Sequence, residues 1–539
     1  MSAALALAHS AERIDGRALR ARLDVCASQK PDAVALATSL NVLTCGSVDD
    51  GKSTLIGRLL WDTDGLHADQ RAALERSPKT AAGTPDFSLL VDGLAAEREQ
   101  GITIDIAWRY LDTPQRRLVI IDSPGHEQYT RNMATGASHA DVAILLVDAR
   151  SGVKEQTRRH AAILDLMGVR KVVLAVNKMD LVNWSETRFN AIRSVFEELA
   201  ARFGFEDAVS IPVSAVLGDN IARRSPAAPW YKGRSLLDYL GGTAAPSAAL
   251  TSQFRFPVQL VVRAGQDFRG LAGTIASGDI ATGDEVVEPV SGRRGKIQRI
   301  VTMGRDLEIA RQGQAVVLEL DVDLDISRGA ILVKRDSTSN VTRELDVKLV
   351  WLSDEPFARA RGYLLRTATD LIPVAGLDIR AHLDLAQLAE RPAADCTAND
   401  IAIGRIELGR STVVDRYADH PATGSFILVD PLSGTTVAAG VVVAAKSGRA
   451  TATKGNVFRL TRDLVARGIG ADLPVTDTRA DEELRRRANE VAILMREAGV
   501  AVEVEDIWHR SSFDAATMWL GFLTALSFGF VGAVLFGLV

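Results

Sequence analysis

The octapeptide Gly46-Ser-Val-Asp-Asp-Gly-Lys-Ser53 constrains this chain more than any other feature. It fits the pattern G-x-x-x-x-G-K-[ST], and it lies between an apolar run, Leu40–Thr44, and a stretch with helical spacing, Lys52–Leu60. A strand, a glycine-bearing loop and a helix in that order leave few architectures open. The glycines let backbone amides close around phosphate oxygens, and the N-terminus of the next helix adds positive potential there. Lys52 is expected to reach the β- and γ-phosphates of a nucleotide and the Ser53 hydroxyl to bind Mg²⁺. Gly46, Ser47, Val48, Asp49, Asp50, Gly51 and Thr54 complete the expected phosphate loop.

The surrounding sequence alternates apolar runs with amphipathic stretches. Leu118–Ile121, Val142–Val147 and Lys171–Val176 read as buried strands, and Glu155–Met167 reads as a helix between two of them. The pattern predicts an α/β domain over residues 39–241, a parallel sheet wrapped by helices. A Gly-, Ala- and Ser-rich linker follows, and then short β-rich runs punctuated by glycine: Phe256–Val262, Leu271–Ile275, Glu285–Val290 and Ala315–Leu320. Two small β-barrels, over 253–340 and 341–446, fit this region best. Residues 455–510 form a short mixed α/β segment, in which Leu484, Ala488, Val491 and Met495 share one helical face. Residues 1–38 are a polar extension without a signal-peptide pattern.

Composition excludes little but helps. The formal net charge of −5 argues against a broad nucleic-acid footprint, and no nucleic-acid partner is expected. Three scattered cysteines, Cys26, Cys45 and Cys396, fit a reducing cytoplasm and have no metal-ligand spacing in sequence.

Three further motifs follow the loop in order. Asp122-Ser123-Pro124-Gly125-His126 closes the strand Leu118–Ile121. Asp122 is placed to hold Mg²⁺ through water, the Gly125 amide to sense a γ-phosphate, and His126 to orient the attacking water. A lone histidine is more often structural, but adjacency to D-x-x-G reverses that expectation. Asn177-Lys178-Met179-Asp180 ends the strand Lys171–Val176. The Asp180 carboxylate can accept from guanine N1–H and the 2-amino group. Adenine offers neither donor, and leaving such groups unpaired costs about 10⁴-fold in selectivity. Asn177 is expected to brace the loops, the Lys178 stem to cover the base, and Ser214-Ala215 to present an amide to guanine O6. Between the first two motifs, Thr103 alternates with Ile102 and Ile104. It can ligate Mg²⁺ when a γ-phosphate is bound and release it afterwards. Together these are the parts of a GTP hydrolase, with Lys52, Thr103 and His126 in the catalytic roles and Ser53, Thr103 and Asp122 as metal ligands.

At longer range the sequence resembles the large, GTPase subunit of bacterial sulfate adenylyltransferase. The resemblance rests on Cys45–Leu60, Leu90-Val-Asp-Gly-Leu94 with Glu97–Asp105, Gly125–Ala137, Phe254–Gln259 and Asp267–Gly278. Ser123 stands where that family more often has Thr. The resemblance implies an architecture like that of elongation factor Tu. It also implies a separate small catalytic subunit that forms adenylyl sulfate and pyrophosphate from ATP and sulfate, with GTP hydrolysis on this chain driving the reaction. Some members are fused to an adenylyl-sulfate kinase. Arg467–Leu473 and Arg485–Gly499 resemble an interior part of that kinase without its phosphate loop, which implies a shortened, inactive relic. A translation factor carrying aminoacyl-tRNA and a membrane-tethered GTP-dependent scaffold are the alternative readings.

The C-terminal stretch Ala515–Val539 carries no charge. Its length suffices for a membrane-spanning helix, and Trp519 lies near its start, where interfacial aromatics are favoured. Gly521, Ala525, Gly529, Ala533 and Gly537 recur at every fourth position. Such a stripe suits close packing against a second membrane helix. The expectation is a cytoplasmic protein anchored by this tail, with a helix partner in the membrane.

Overall fold

The computed structural model describes residues 39–63, 66, 68–76, 84–91, 103–244, 253–264, 268–303, 305–359, 361–445, 458–460, 485–486, 488–489 and 502–504. The polar N-terminal extension and the uncharged tail lie outside them. Among the described residues no helix is long and apolar enough to cross a membrane.

The first unit is built on six strands: β1 (Leu40–Gly46), β2 (Ala107–Asp112), β3 (Arg117–Asp122), β4 (Val142–Asp148), β5 (Lys171–Asn177) and β6 (Asp207–Pro212). Their order across the sheet is β2-β3-β1-β4-β5-β6. Helices α1 (Lys52–Asp62), α2 (Thr130–Ala137), α3 (Glu155–Leu166) and α4 (Glu186–Arg202) flank it. The central strands are apolar on both faces because both faces are covered. Leu43, Cys45, Leu145, Val147, Leu174 and Val176 pack with Met133, Ile163, Phe189 and Phe196 on one side. Val42, Ile144, Leu146, Val173 and Ala175 pack with Leu55, Ile56 and Leu59 on the other.

One correction to the sequence reading concerns β2, which makes the sheet mixed rather than parallel. It pairs antiparallel with β3, from Ala107 opposite Asp122 to Asp112 opposite Arg117. The connection is a tight turn in which Thr113 N donates to Arg116 O at 2.9 Å. Only an antiparallel neighbour can be reached through so short a link.

The β-rich half forms two closed rings. In the first, Arg255–Pro257, Ile331–Lys334, Glu285–Glu288, Arg293–Thr302, Ala315–Leu320, Phe268–Thr274 and Leu260–Ala264 neighbour one another in that order. Arg255 N to Ser277 O (3.1 Å) and Ala276 N to Arg255 O (2.9 Å) close it. The β-rich run Phe256–Val262 is divided between two strands. Val258 N turns to Ala330 O while Gln259 N turns to Ala272 O, so the chain changes neighbours there. In the second ring, Tyr363–Arg366 pairs with both Ser425–Val429 and Leu371–Asp384, which closes the cycle through Thr436–Ala445, Val341–Trp351 and Ile401–Val413. Farther on, Phe458–Leu460 pairs in parallel with Val502–Val504.

The rings are joined by a buried ion pair. Arg255 Nε donates to Asp415 Oδ2 at 2.9 Å, and Nη2 donates to Asp415 Oδ1 at 3.0 Å and to Thr338 O at 2.7 Å. Thr423 Oγ1 adds a further bond to Asp415 Oδ2 at 2.7 Å. Burial pushes the Asp415 carboxyl upward, but Arg255 and Thr423 outweigh it, so the group ends below its ordinary value. Removing one partner strands the other charge. Asp415→Ala is therefore expected to cost about 3–5 kcal/mol, read from the shift in denaturant unfolding of the two rings. Because the folded value is depressed, the pair stabilises above the unfolded carboxyl value of about 3.9 and is lost as pH falls through the folded value. The variant should lack that acid limb.

Candidate functional site

The site forms at the C-terminal ends of β1, β3, β4 and β5, where a parallel sheet opens onto its loops. Gly46 ends β1 with φ 156°, and Gly51 takes φ 94° immediately before α1. A side chain at Gly51 would meet Asn177 Nδ2 at 2.4 Å. That position therefore needs both the left-handed backbone and the missing Cβ.

Lys52 opens α1 and is buried. Its ammonium donates to Gly46 O at 2.9 Å and Ser47 O at 3.1 Å. Burial lowers its proton affinity, and the charges of Asp122 and Asp50 partly restore it. Gly125 approaches so closely that a Cβ there would lie 2.3 Å from Lys52 Nζ and 2.6 Å from Gly46 O. The second motif is thereby pressed against the first. Asp122, fully buried at the end of β3, accepts from Thr44 Oγ1 at 3.4 Å. Ser123 Oγ donates to Thr44 O at 2.8 Å, and Pro124 is buried beside it. Ser53 and Thr54 are half-buried on the first turn of α1, and Val48 and Asp49 form the loop's outer rim.

The third motif grips the loop from behind. Asn177 Nδ2 donates to Asp50 O at 2.8 Å, and Asn177 Oδ1 accepts from Ala215 N at 3.0 Å. Lys178, at φ 62°, donates to Asp49 O and lies 3.2 Å from Asp148 Oδ2. Met179 is buried, Asp180 is half-buried on the short turn that follows, and Ser214 is buried next to Ala215. Through the Ala215 amide, the Ser214-Ala215 pair is bonded to the base-reading motif itself.

Two residues lie farther out. His126 caps the turn Glu127–Tyr129, and its Nδ1 accepts from Gln128 N at 3.3 Å. While that bond holds, the neutral ring carries its proton on Nε2 and acts as a donor there. Thr103 is half-buried at the start of the stretch leading into β2. The carbonyl of neighbouring Ile104 accepts from Asn132 Nδ2 at 2.8 Å, which ties this stretch to α2.

Sequence reasoning missed Lys154 and Asp148. Asp50 is 1% exposed, accepts from Ser47 N at 2.7 Å through Oδ2, and pairs with Lys154 Nζ at 3.1 Å through Oδ1. Burial raises this carboxyl, and Lys154 and the Ser47 amide pull it back. Asp148, ending β4, is also raised by burial, but Arg150 and Lys178 hold it well below the usual carboxylate range. No local pattern marks Lys154, which is far from Asp50 in sequence. An acidic residue closing the apolar run Val142–Val147 is the one available signal for Asp148.

Comparisons with known proteins agree with this geometry. Residues 37–256 match the elongation factor Tu GTP binding domain, and residues 344–443 match the GTP-eEF1A C-terminal domain-like family. Sulfate adenylyltransferase subunit 1 of Tolumonas auensis is 46% identical over 413 residues, covering 76% of this chain and 88% of that protein. Its counterpart in Chromobacterium violaceum is 47% identical over 409 residues, covering 75% and 86%. The chain belongs to the sulfate adenylyltransferase subunit 1 family. A Rhizobium sp. (strain N33) protein named bifunctional enzyme NodQ is 42% identical over 517 residues, covering 87% of this chain and 80% of its own length.

Within this subunit 1 member, Lys154 orders the phosphate loop through Asp50. Lys154→Met should leave the loop carboxylate without its counter-charge and weaken GTP and GDP alike by roughly tenfold, the cost of about one charged hydrogen bond. Titration calorimetry with GTP, GDP and ATP is the check: guanine preference should stay, and Lys154→Arg should restore affinity.

Proposed function

We propose that this chain is the GTPase subunit of sulfate adenylyltransferase. It hydrolyses GTP and couples that hydrolysis to formation of adenylyl sulfate and pyrophosphate from ATP and sulfate on a separate small catalytic subunit. The observation that carries the reading is the meeting of Lys52, Gly125 and Asn177 around one loop, in a chain whose relatives bear the subunit 1 name.

The chemistry needs little from the protein beyond position and charge. Lys52, buried and held by two loop carbonyls, exchanges them for phosphate oxygens and regains the proton affinity that burial removed. The Gly125 amide marks the γ-phosphate. His126, donating through Nε2, orients water in line rather than removing its proton. Asp180 reads the guanine edge. The donor set Ser53 hydroxyl, Asp122 carboxylate and Thr103 hydroxyl is all oxygen, which suits Mg²⁺. Bound there, that ion neutralises charge building on the phosphates. The same proposal assigns the guanine nucleotide domain to 39–241 and the barrels to 253–340 and 341–446.

We propose two finer assignments. Residues 455–510 are read as a shortened kinase relic. Phe458–Leu460 pairs in parallel with Val502–Val504, a pairing that needs a crossover connection as in a β-α-β unit, and the similarity to the bifunctional NodQ protein extends over 517 residues. The tail Ala515–Val539 is read as an anchor because of its length and lack of charge. Fractionation should place the full chain with membranes and a chain ending at Ser512 in the soluble fraction; a soluble full chain would remove the anchor.

The central test uses the full chain co-purified with its small subunit. GTP turnover and adenylyl sulfate formation should each depend on the other's substrates. His126→Ala should slow GTP hydrolysis by about 10²–10⁴-fold with nucleotide affinity intact. Turnover indifferent to ATP, sulfate and the small subunit, or binding of aminoacyl-tRNA, would refute the coupling.

A further inference from the structure

Outside the nucleotide cradle, the second ring brings together three side chains of different chemistry. His382 lies on the strand Leu371–Asp384, and Cys396 and Asp400 lie on the loop that leads into Ile401–Val413. One ring nitrogen of His382, the Cys396 sulfur and one carboxylate oxygen of Asp400 all lie within 4.8 Å of one another. The pairing of His382 opposite Ala402 on the neighbouring strand brings the histidine to this loop.

The surroundings orient each group. His382 Nε2 contacts the carbonyl oxygen of Asp395. A carbonyl can only accept, so Nε2 carries a proton, and in the neutral ring Nδ1 presents its lone pair. Nδ1 lies 4.0 Å from Asp400 Oδ2. A lone pair turned toward a carboxylate is repulsive unless a cation stands between them. Asp400 Oδ2 is itself held by Thr397 N and Thr397 Oγ1, both at 2.7 Å. Metal-ligating histidines and carboxylates are braced in this way by outer hydrogen bonds. The loop is also pinned to the barrel: Phe357 N donates to Cys396 O, Asn399 N to Trp351 O and Trp351 N to Asp400 O. Cys396 is fully buried, while His382 and Asp400 keep 23% and 33% of their side chains exposed, so an ion has a way in.

We propose that His382, Cys396 and Asp400 form a binding site for a divalent, borderline-soft metal ion of the zinc class. A thiolate and a carboxylate supply two negative charges to match the ion, and the imidazole adds a neutral donor. Binding replaces the thiol proton, which is released to solvent, with a metal–sulfur bond. Without metal, burial holds the Cys396 thiol up at about 12, reinforced by Asp400 and Asp395, so it stays protonated. In a tetrahedral zinc site the ligand atoms stand roughly 3.3–3.8 Å apart, so the three need to draw in by at most about 1–1.5 Å. Three protein ligands leave a fourth position for water. Asp400 also lines a cleft of about 410 Å³ between this ring and Glu155, Arg158 and Arg159 of α3, so the open position lies near the junction with the nucleotide domain.

The test uses the full chain, stripped with chelator and then held with GDP and Mg²⁺ so that oxygen sites are filled. Cobalt(II) is the probe. One equivalent should produce tetrahedral visible bands and a thiolate-to-cobalt band in the near ultraviolet, and zinc should abolish both stoichiometrically. Cys26→Ser should keep the thiolate band, and Cys396→Ser should lose it. His382→Gln and Asp400→Asn should each weaken cobalt affinity at least tenfold while GDP affinity stays unchanged. If Cys396→Ser does not fold, the wild-type titration and these two variants still decide. A wild-type spectrum without a thiolate band overturns the site, because a protonated His382 paired with Asp400 would satisfy the geometry without any metal. A thiolate band that survives in Cys396→Ser overturns it as well.

Discussion

The carboxamide of Asn177 holds the nucleotide site together. It is 2% exposed, and it gives its N–H to Asp50 O while its carbonyl receives Ala215 N–H. Three loops from three strand ends therefore meet on one side chain. The other two each contribute a backbone group, Asp50 O and Ala215 N, that would otherwise lack this partner, at a cost of about 1–3 kcal/mol apiece. Asparagine is suited to this because it carries one donor and one acceptor on a short stem. An aspartate of the same size has no donor for Asp50 O. Close approach of the loops follows from this bond: Gly51 can have no side chain because Asn177 Nδ2 occupies that space.

The carboxamide also explains why the phosphate loop needs an ion pair behind it. With its carbonyl side tied to Asn177 and Lys178, the loop turns its Ser47 amide inward, where Asp50 caps it. The capping carboxylate is buried, and a buried charge is tolerated only when paired. Lys154 supplies the charge from the residue before α3. Loop shape, base-reading motif and the start of α3 are thus one electrostatic unit.

Much of this was legible in the sequence, and the reason is locality. Gly46–Ser53 encodes its own turn and its own donors, so eight consecutive residues suffice to announce a phosphate cradle. The buried strands β1, β3, β4 and β5 declare themselves as unbroken apolar runs because helices cover both faces. β2 does not, since it lies at the edge with Trp108 and Tyr110 exposed, and its sequence resembles a solvated segment. What the sequence hides is pairing across distance. Lys154 with Asp50, Arg255 with Asp415, and His382 with Cys396 have no spacing rule, because each depends on how a sheet or ring closes. The same holds for the split at Val258, where the chain changes neighbours without any change in hydrophobic pattern.

The contacts between the nucleotide domain and the second ring bear on how hydrolysis can do work elsewhere. Arg131, on the first turn of α2, donates to Leu352 O and Thr436 O of the ring at 3.2 and 3.3 Å. Tyr417 of the ring donates to Met167 O at 2.6 Å, just past the end of α3. Val350, Ile401 and Val441 join the core that Met133 and Ile163 build under β4. A ligand shifts a conformational equilibrium only by its difference in affinity for the two states. The group that distinguishes GTP from GDP is the γ-phosphate, and the Gly125 segment pressed on Lys52 precedes Arg131 by one short turn. Any displacement of Gly125 therefore acts on α2 through a few covalent bonds, and α2 is bonded to the ring at its first turn. α3 is bound at both ends, to Asp50 through Lys154 and to the ring through Met167. The phosphate loop and the ring are thus connected along two helices, and packed interfaces in general change position as bodies rather than deform gradually.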